Sequence, residues 1–169
     1  MKDTDRSKTT TRELAELSIL CAMMFAGKEA LRMIPNVHPV TVIILLAVIL
    51  YGWKALYPVF GFVFLEFFVY GFGVWSIMYL YIWPLLVVIA MPLRESRNWL
   101  LWAVLACFYG LGFGALCSIP YIFISGFKAA VAFWIAGIPF DIVHGISNFL
   151  LTLVLLPLLY KIVFKLKNR

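Results

Sequence analysis

Charge is scarce in this chain. Of its 169 residues, 13% are Asp, Glu, Lys or Arg and 64% are hydrophobic, with a mean hydropathy of +1.01. Soluble domains carry roughly a quarter charged residues, so that class is excluded and lipid is the expected solvent. Chemical signatures are missing too. No Gly-rich loop ends in Lys-Ser or Lys-Thr to cradle nucleotide phosphates, so the chain is not expected to hydrolyse ATP. There is no His-Glu-x-x-His pair, no Gly-x-Ser-x-Gly elbow and no run of carboxylates to hold a catalytic metal. An enzyme is therefore not expected, nor a cofactor or metal of the chain's own. Two matching halves with broken helices, the mark of inverted-repeat ion-coupled transport, are also absent. Cys21, Cys107 and Cys117 lie in apolar surroundings at spacings that fit no metal motif, and read as small buried residues. The net charge of +6 is not gathered into one patch with interleaved aromatics, which argues against nucleic acid as a partner.

What is present is a succession of apolar runs. Breaks at Met33 to Pro39, Gly52 to Ala55, Gly71 to Ile77, Leu93 to Asn98 and Phe123 to Lys128 predict spans at 14–33, 40–53, 55–72, 77–93, 98–123 and 132–164. A helix needs about 20 apolar residues to cross a bilayer, so 169 residues leave room for six short spans in a single transmembrane domain covering 1–169. The second span is short and barely separated from the third, which leaves five as the alternative. Residues 1–12 are polar and mixed in charge, unlike a cleaved secretory signal, and read as a cytoplasmic segment; 165–169 read as a cytoplasmic tail. Basic residues mark alternate connections: Lys2, Arg6, Lys8 and Arg12; Lys54; Arg94 and Arg97; Lys161, Lys165, Lys167 and Arg169. The opposite connections carry Lys28, Arg32 and Lys128. Basic loops stay in the cytoplasm, and this alternation requires an even number of spans with both termini inside. The expected fold is thus an all-α membrane protein, a six-transmembrane-helix bundle in contact with lipid. Tyr79, Tyr81, Trp83, Trp99, Trp102 and Trp134 fall near predicted span ends and suit interfacial belts.

Ionisable side chains in hydrocarbon are costly and mark functional candidates. Glu66 lies in the third span, one turn from Tyr70. Asp141, His144 and Asn148 follow at spacings of three and four on the last span and share one face. These groups either bond one another, Asp141 with Arg32 or Lys28 and Asn148 with a backbone carbonyl, or form the polar wall of an outward-facing pocket. Pro139 suits a helix start, which would put Asp141 in a first turn, where the helix dipole favours an anion. Met33-Ile-Pro-Asn-Val-His-Pro39 reads as a stiff extended outer loop, either a cap over that pocket or a plain connection. His38 suits hydrogen bonding better than metal ligation. Ser18, Ala22, Ala26 and Ala30 form a stripe of small residues on the first span, suited to close helix docking inside the bundle or against a partner; Gly110, Gly112 and Gly114 read the same way.

The alanine ladder, the outer Asn36-Val-His38 loop and the Asp141-x-x-His144-x-x-x-Asn148 face of a six-span chain together resemble the substrate-binding S components of energy-coupling factor vitamin transporters. Ile34–His38, Lys54–Pro58 and Tyr79–Trp83 look most like the cobalamin-specific group. The resemblance implies a multi-pass protein of the bacterial plasma membrane that binds a vitamin from outside. It implies three partner subunits, a transmembrane T component and two ATPases, with ATP and Mg used by the ATPases. Ala22, Ala26 and Ala30 would pack on the T component, and the bundle would topple to deliver its cargo. For cobalamin, Trp75, Tyr79, Tyr121 and Trp134 would supply contact, and Asn36, His38, Glu66, Asp141 and His144 hydrogen bonds, with Tyr70 and Asn148 completing the wall. The same residues would serve pyridoxine, a pyrimidine precursor or queuine. A membrane assembly subunit with no ligand is the alternative from a different class.

Overall fold

A computed structural model describes residues 9–167. Lys2, Arg6, Lys8 and Arg169, and the side chain of Lys167, lie outside the described residues. Among the described residues every regular element is helical: α1 Thr11–Ala30, α2 Val40–Tyr51, α3 Leu56–Tyr70, α4 Val74–Ala90, α5 Trp99–Leu111, α6 Phe113–Ser125 and α7 Phe127–Lys167. Four stretches, Val40–Tyr70, Val74–Leu93, Trp99–Ser125 and Phe127–Leu166, are long and apolar enough to cross a membrane. α1 is not among them. It starts with a capping box, in which the Thr10 hydroxyl accepts from the Glu13 amide while the Glu13 carboxylate accepts from the Thr10 amide. It buries only the face of Leu17, Leu20 and Met24.

The first apolar stretch is two helices, because the chain reverses at Gly52. Tyr51 donates its hydroxyl to Glu16 and Lys54 reaches Glu13 at 2.8 Å, both at the start of α1. Further along, Cys21 lies against Gly61 and Lys28 reaches Glu66. α3 therefore climbs alongside α1, and α2 descends between them in the chain. Gly52 makes the reversal possible with φ +60°, where a side chain is strained and would also meet the Arg94 guanidinium.

α2 is the shortest of the α-helices among the described residues. Its 12 residues rise only about 18 Å, less than a bilayer core. From Val40 to Ile49 they are all buried, packed by α1, α4, α5 and α7. A helix that is hydrophobic nearly all round is one that is buried on nearly every side.

Residues 99–167 form an antiparallel arrangement. α5 and α6 run up one side of α7, with Trp99 against Tyr160, Gly110 on Gly145 and Gly114 on Asp141, and Tyr121 on Phe133. Gly126 forms the turn. A Cβ at Gly110 would lie 2.8 Å from the Gly145 backbone, so the two glycines set how closely the helices approach.

Several boundaries differ from expectation. α7 begins at Phe127 rather than at 132, and Pro139 lies inside it. Asp141 is thus mid-helix, and its expected place in a first turn of its own helix is incorrect. Residues 31–37 are not extended but form successive tight turns, closed by Ile34 N–H to Leu31 O at 2.8 Å and Val37 N–H to Ile34 O at 3.3 Å. Trp83 and Trp102 are wholly buried and belong to the core rather than to an interfacial belt.

The two ends of the bundle differ in charge. Arg12, Lys54, Arg94 and Arg97 gather at one end through Arg12–Glu16, Lys54–Glu13, Arg94 beside Gly52 and Arg97 stacked over Tyr160. Both described ends of the chain meet there, where Arg12 and Glu16 share a groove with Val163 and Leu166. Lys28 and Arg32 lie at the opposite end.

Candidate functional site

The site grows from one buried acid. Glu66 is 1% exposed, and a lone carboxylate in that position would be untenable. Lys28 Nζ donates to its Oε2 at 2.6 Å and lies 4.9 Å from the Tyr70 ring centroid, a cation–π contact. Glu66 Oε1 has no partner among the described residues. Lys28, Glu66, Tyr70, Trp75 and Tyr79 together line a cavity of ≈ 250 Å³. α1 supplies the cation, α3 the acid and Tyr70, and α4 the two remaining rings. The α3–α4 turn at Gly71 to Gly73, capped by the Gly73 amide donating to Ser76 Oγ at 3.0 Å, brings α4 back so that Trp75 packs on Phe67.

A continuous aromatic wall leads inward from this cavity. Trp75 touches Tyr79 at a centroid distance of 5.3 Å, Tyr79 touches Trp83 at 5.5 Å, and Trp83 touches Phe113 at 5.5 Å. His144 stands on Phe113 at 4.8 Å and meets His38 at 5.2 Å. His38 arrives there because the 31–39 connection is strapped onto α7. The Asn36 side-chain amide donates to Phe140 O at 3.1 Å, and Ser147 Oγ donates to Asn36 O at 2.9 Å. Asn36 adopts φ +59°, a left-handed conformation that Asn tolerates better than most residues. His38 sits in this connection, and burial, aided by the Lys28 charge, pushes its pKa down to about 4. His38 is therefore neutral at pH 7.

Asp141 is 5% exposed and has a different neighbour from those expected. It pairs with neither Arg32, which meets Glu29, nor Lys28, which meets Glu66. Its Oδ1 accepts from the Gly114 amide at 2.8 Å. Gly114 lies in the first turn of α6, where the break at Gly112 frees amides from helical bonding. A carboxylate does sit at a helix N-terminus, but the helix is α6. Asp141 Oδ2 has no partner among the described residues. A second cavity of ≈ 330 Å³ opens beside it, lined by Phe113, Gly114, Cys117, Phe133, Ala136, Gly137, Phe140 and Asp141.

The expected single pocket is thus two cavities, one at each end of the aromatic wall. Glu66, Tyr70, Trp75 and Tyr79 share the first, and Asp141 belongs to the second. Asn36, His38 and His144 form the strap and wall between them. Asn148 is buried one turn deeper, and its amide finds neither a backbone carbonyl nor any other partner among the described residues. Tyr121 packs on Phe133, which lines the second cavity, while Trp134 is 41% exposed and lines neither. Pro39 packs over Gly27, Lys28 bonds Glu66 and His38 touches His144, so Glu66 and His144 lie at about one level. Ser18, Ala22, Ala26 and Ala30 are exposed, which excludes burial within their own bundle.

Three contributors do not stand out in the sequence: Trp83 falls near a span end, Phe113 is one of many aromatics, and Lys28 is a candidate partner for Asp141 rather than for Glu66. Thr152 extends the His144 and Asn148 row by one further turn, a spacing visible in the sequence, and it too is buried without a partner among the described residues.

No family model, curated protein or solved structure matches this chain. The class is therefore defined by the molecule itself: an all-helical protein with membrane-spanning character and buried polar groups around two cavities.

Proposed function

We propose that this chain is the substrate-binding subunit of a vitamin importer of the energy-coupling factor type, a six-span protein of the bacterial plasma membrane with both termini in the cytoplasm. The observation that carries the reading is the pairing of the buried Glu66 with the partly exposed Lys28, set among Tyr70, Trp75 and Tyr79. A few fixed polar groups among aromatic walls suit a planar, hydrogen-bonding ring. The cavity lies at the end opposite Arg12, Lys54, Arg94 and Arg97, which the preference of basic residues for the cytoplasm makes the outer end. Its ≈ 250 Å³ favours pyridoxine or a pyrimidine precursor. Queuine is larger, and cobalamin, larger still, would require the 31–39 strap and the aromatic wall to move apart. The exposed stripe of Ser18, Ala22, Ala26 and Ala30 supports docking on a transmembrane partner that is coupled to two ATPases, with ATP and Mg used there. The chain itself binds and releases its ligand without converting it.

A subunit that binds no solute is the second reading, favoured by the Asp141–Gly114 bond, which closes a helix break as a purely structural polar group would. Thermal unfolding of the purified chain with a panel of vitamins separates the two. A ligand that binds the folded state raises the melting temperature, and the rise should vanish in Glu66→Gln. No rise with any vitamin, cobalamin included, would overturn the importer reading.

A further inference from the structure

Two buried acids among the described residues are treated differently, and the difference defines a second site. Glu66 has a cation of the protein's own. Asp141 has none: the residues lining its cavity include no Lys, Arg or His, and its single hydrogen bond leaves Oδ2 unpartnered among the described residues. The remaining walls are the rings of Phe113, Phe133 and Phe140, with Cys117, Ala136 and Gly137 between them.

We propose that the α6–α7 cavity binds an organic ammonium group carrying an apolar body, with Asp141 as counter-ion and the phenyl rings as cation–π and packing partners. The alternatives fit less well. An anion would meet the carboxylate with no basic residue to offset it. A bare metal ion would want several oxygen, nitrogen or sulfur ligands, and no cluster of three His, Cys, Asp or Glu exists among the described residues. A neutral apolar molecule would leave the carboxylate oxygen unused. An ammonium supplies hydrogen-bond donors and charge to the Asp141 carboxylate, which lines the cavity, and phenyl faces attract cations within about 6 Å. The volume of ≈ 330 Å³ lies at the lower end of small-molecule sites, about 300–1,000 Å³, which suits an amine bearing a single ring. The cavity is bounded by the exposed Phe133 and Phe140, so the same ammonium chemistry is also within reach of a lipid headgroup.

The test uses the full chain, purified in detergent, and 2-phenylethylamine as probe, with 2-phenylethanol as its uncharged counterpart. The amine should raise the melting temperature by several degrees at millimolar concentration and the alcohol should not. Asp141→Asn should abolish the amine response, and Glu66→Gln, which addresses the other cavity, should leave it. Should Asp141→Asn fail to fold, Gly137→Leu serves instead. A Cβ at Gly137 meets nothing within 4 Å, so the larger side chain fills the cavity while the Asp141–Gly114 bond stays intact, and it too should abolish the response. In nanodiscs, a higher melting temperature in phosphatidylethanolamine than in phosphatidylglycerol, lost in Gly137→Leu, would place the ammonium on a lipid and also support the site. Equal responses to amine and alcohol, an amine response that survives Gly137→Leu, or no response in either medium would overturn the proposal. Because the vitamin screen reads the other cavity, either result stands without the other.

Discussion

Lys28 Nζ and Glu66 Oε2 meet at 2.6 Å across α1 and α3, although 38 positions separate them in the chain. The acid is buried, whereas the lysine side chain keeps 22% exposure. Removing the lysine alone should therefore strand a buried charge. Lys28→Met is expected to cost about 3 kcal/mol, the lower end for a broken buried pair because the lysine is partly solvated. Lys28→Met with Glu66→Met should recover most of that loss, and reversible unfolding in mixed micelles measures both.

His38 makes stability depend on pH. Its ordinary value of 6.5 falls to about 4 in the fold, so the unfolded chain takes up the proton first. This contribution is complete above about pH 6.5 and is lost as pH falls toward 4, on the order of 3 kcal/mol in all. Melting curves between pH 7.5 and 4 should flatten in His38→Gln. A slope unchanged by that substitution would assign the pH dependence to other groups.

Gly110 should tolerate no side chain. Its Cβ would press on the Gly145 backbone, which cannot rotate away, so Gly110→Ala is expected to destabilise by about 1–3 kcal/mol through overpacking. Gly137→Ala, with open space around it, should be neutral or gain up to about 1 kcal/mol from helix propensity. Chemical denaturation of the two variants side by side gives the comparison.

The stripe on α1 separates folding from transport. Ala22 and Ala26 are exposed, so Ala22→Trp and Ala26→Trp should change the stability of the isolated chain by no more than about 0.5 kcal/mol and leave ligand-induced thermal shifts intact. Uptake by cells expressing the chain with its partner subunits should fall at least tenfold. Normal uptake in both variants would remove the stripe from the docking surface.

The sequence carried a good deal of the site's chemistry. Glu66, Asp141, His144 and Asn148 stand out because ionisable and amide groups within apolar runs must be buried, and all four are. Their grouping was not legible. Three-residue spacing puts Asp141 and His144 on one side of α7, yet a 100° step between neighbours leaves room for two facings: Asp141 turns to the α6 break and His144 to His38 and Phe113. The partner of each acid depended on which helix passed nearby. Lys28 was available to either acid in the sequence, and only the path of α1 beside α3 assigned it to Glu66.

What the sequence determined by itself is the helical, lipid-adapted character of the chain and the places where it breaks. Hydropathy and the special conformations of Gly52 and Gly126 act locally, within a few residues. What the tertiary structure decided is that α2 is wrapped by protein, that Gly110 and Gly145 draw α5 onto α7, and that a wall through Trp83 and Phe113 divides the polar groups between two cavities. Those outcomes depend on shape complementarity between segments far apart in the chain. A pattern of residue types specifies which faces must be covered, but it leaves open which face covers which.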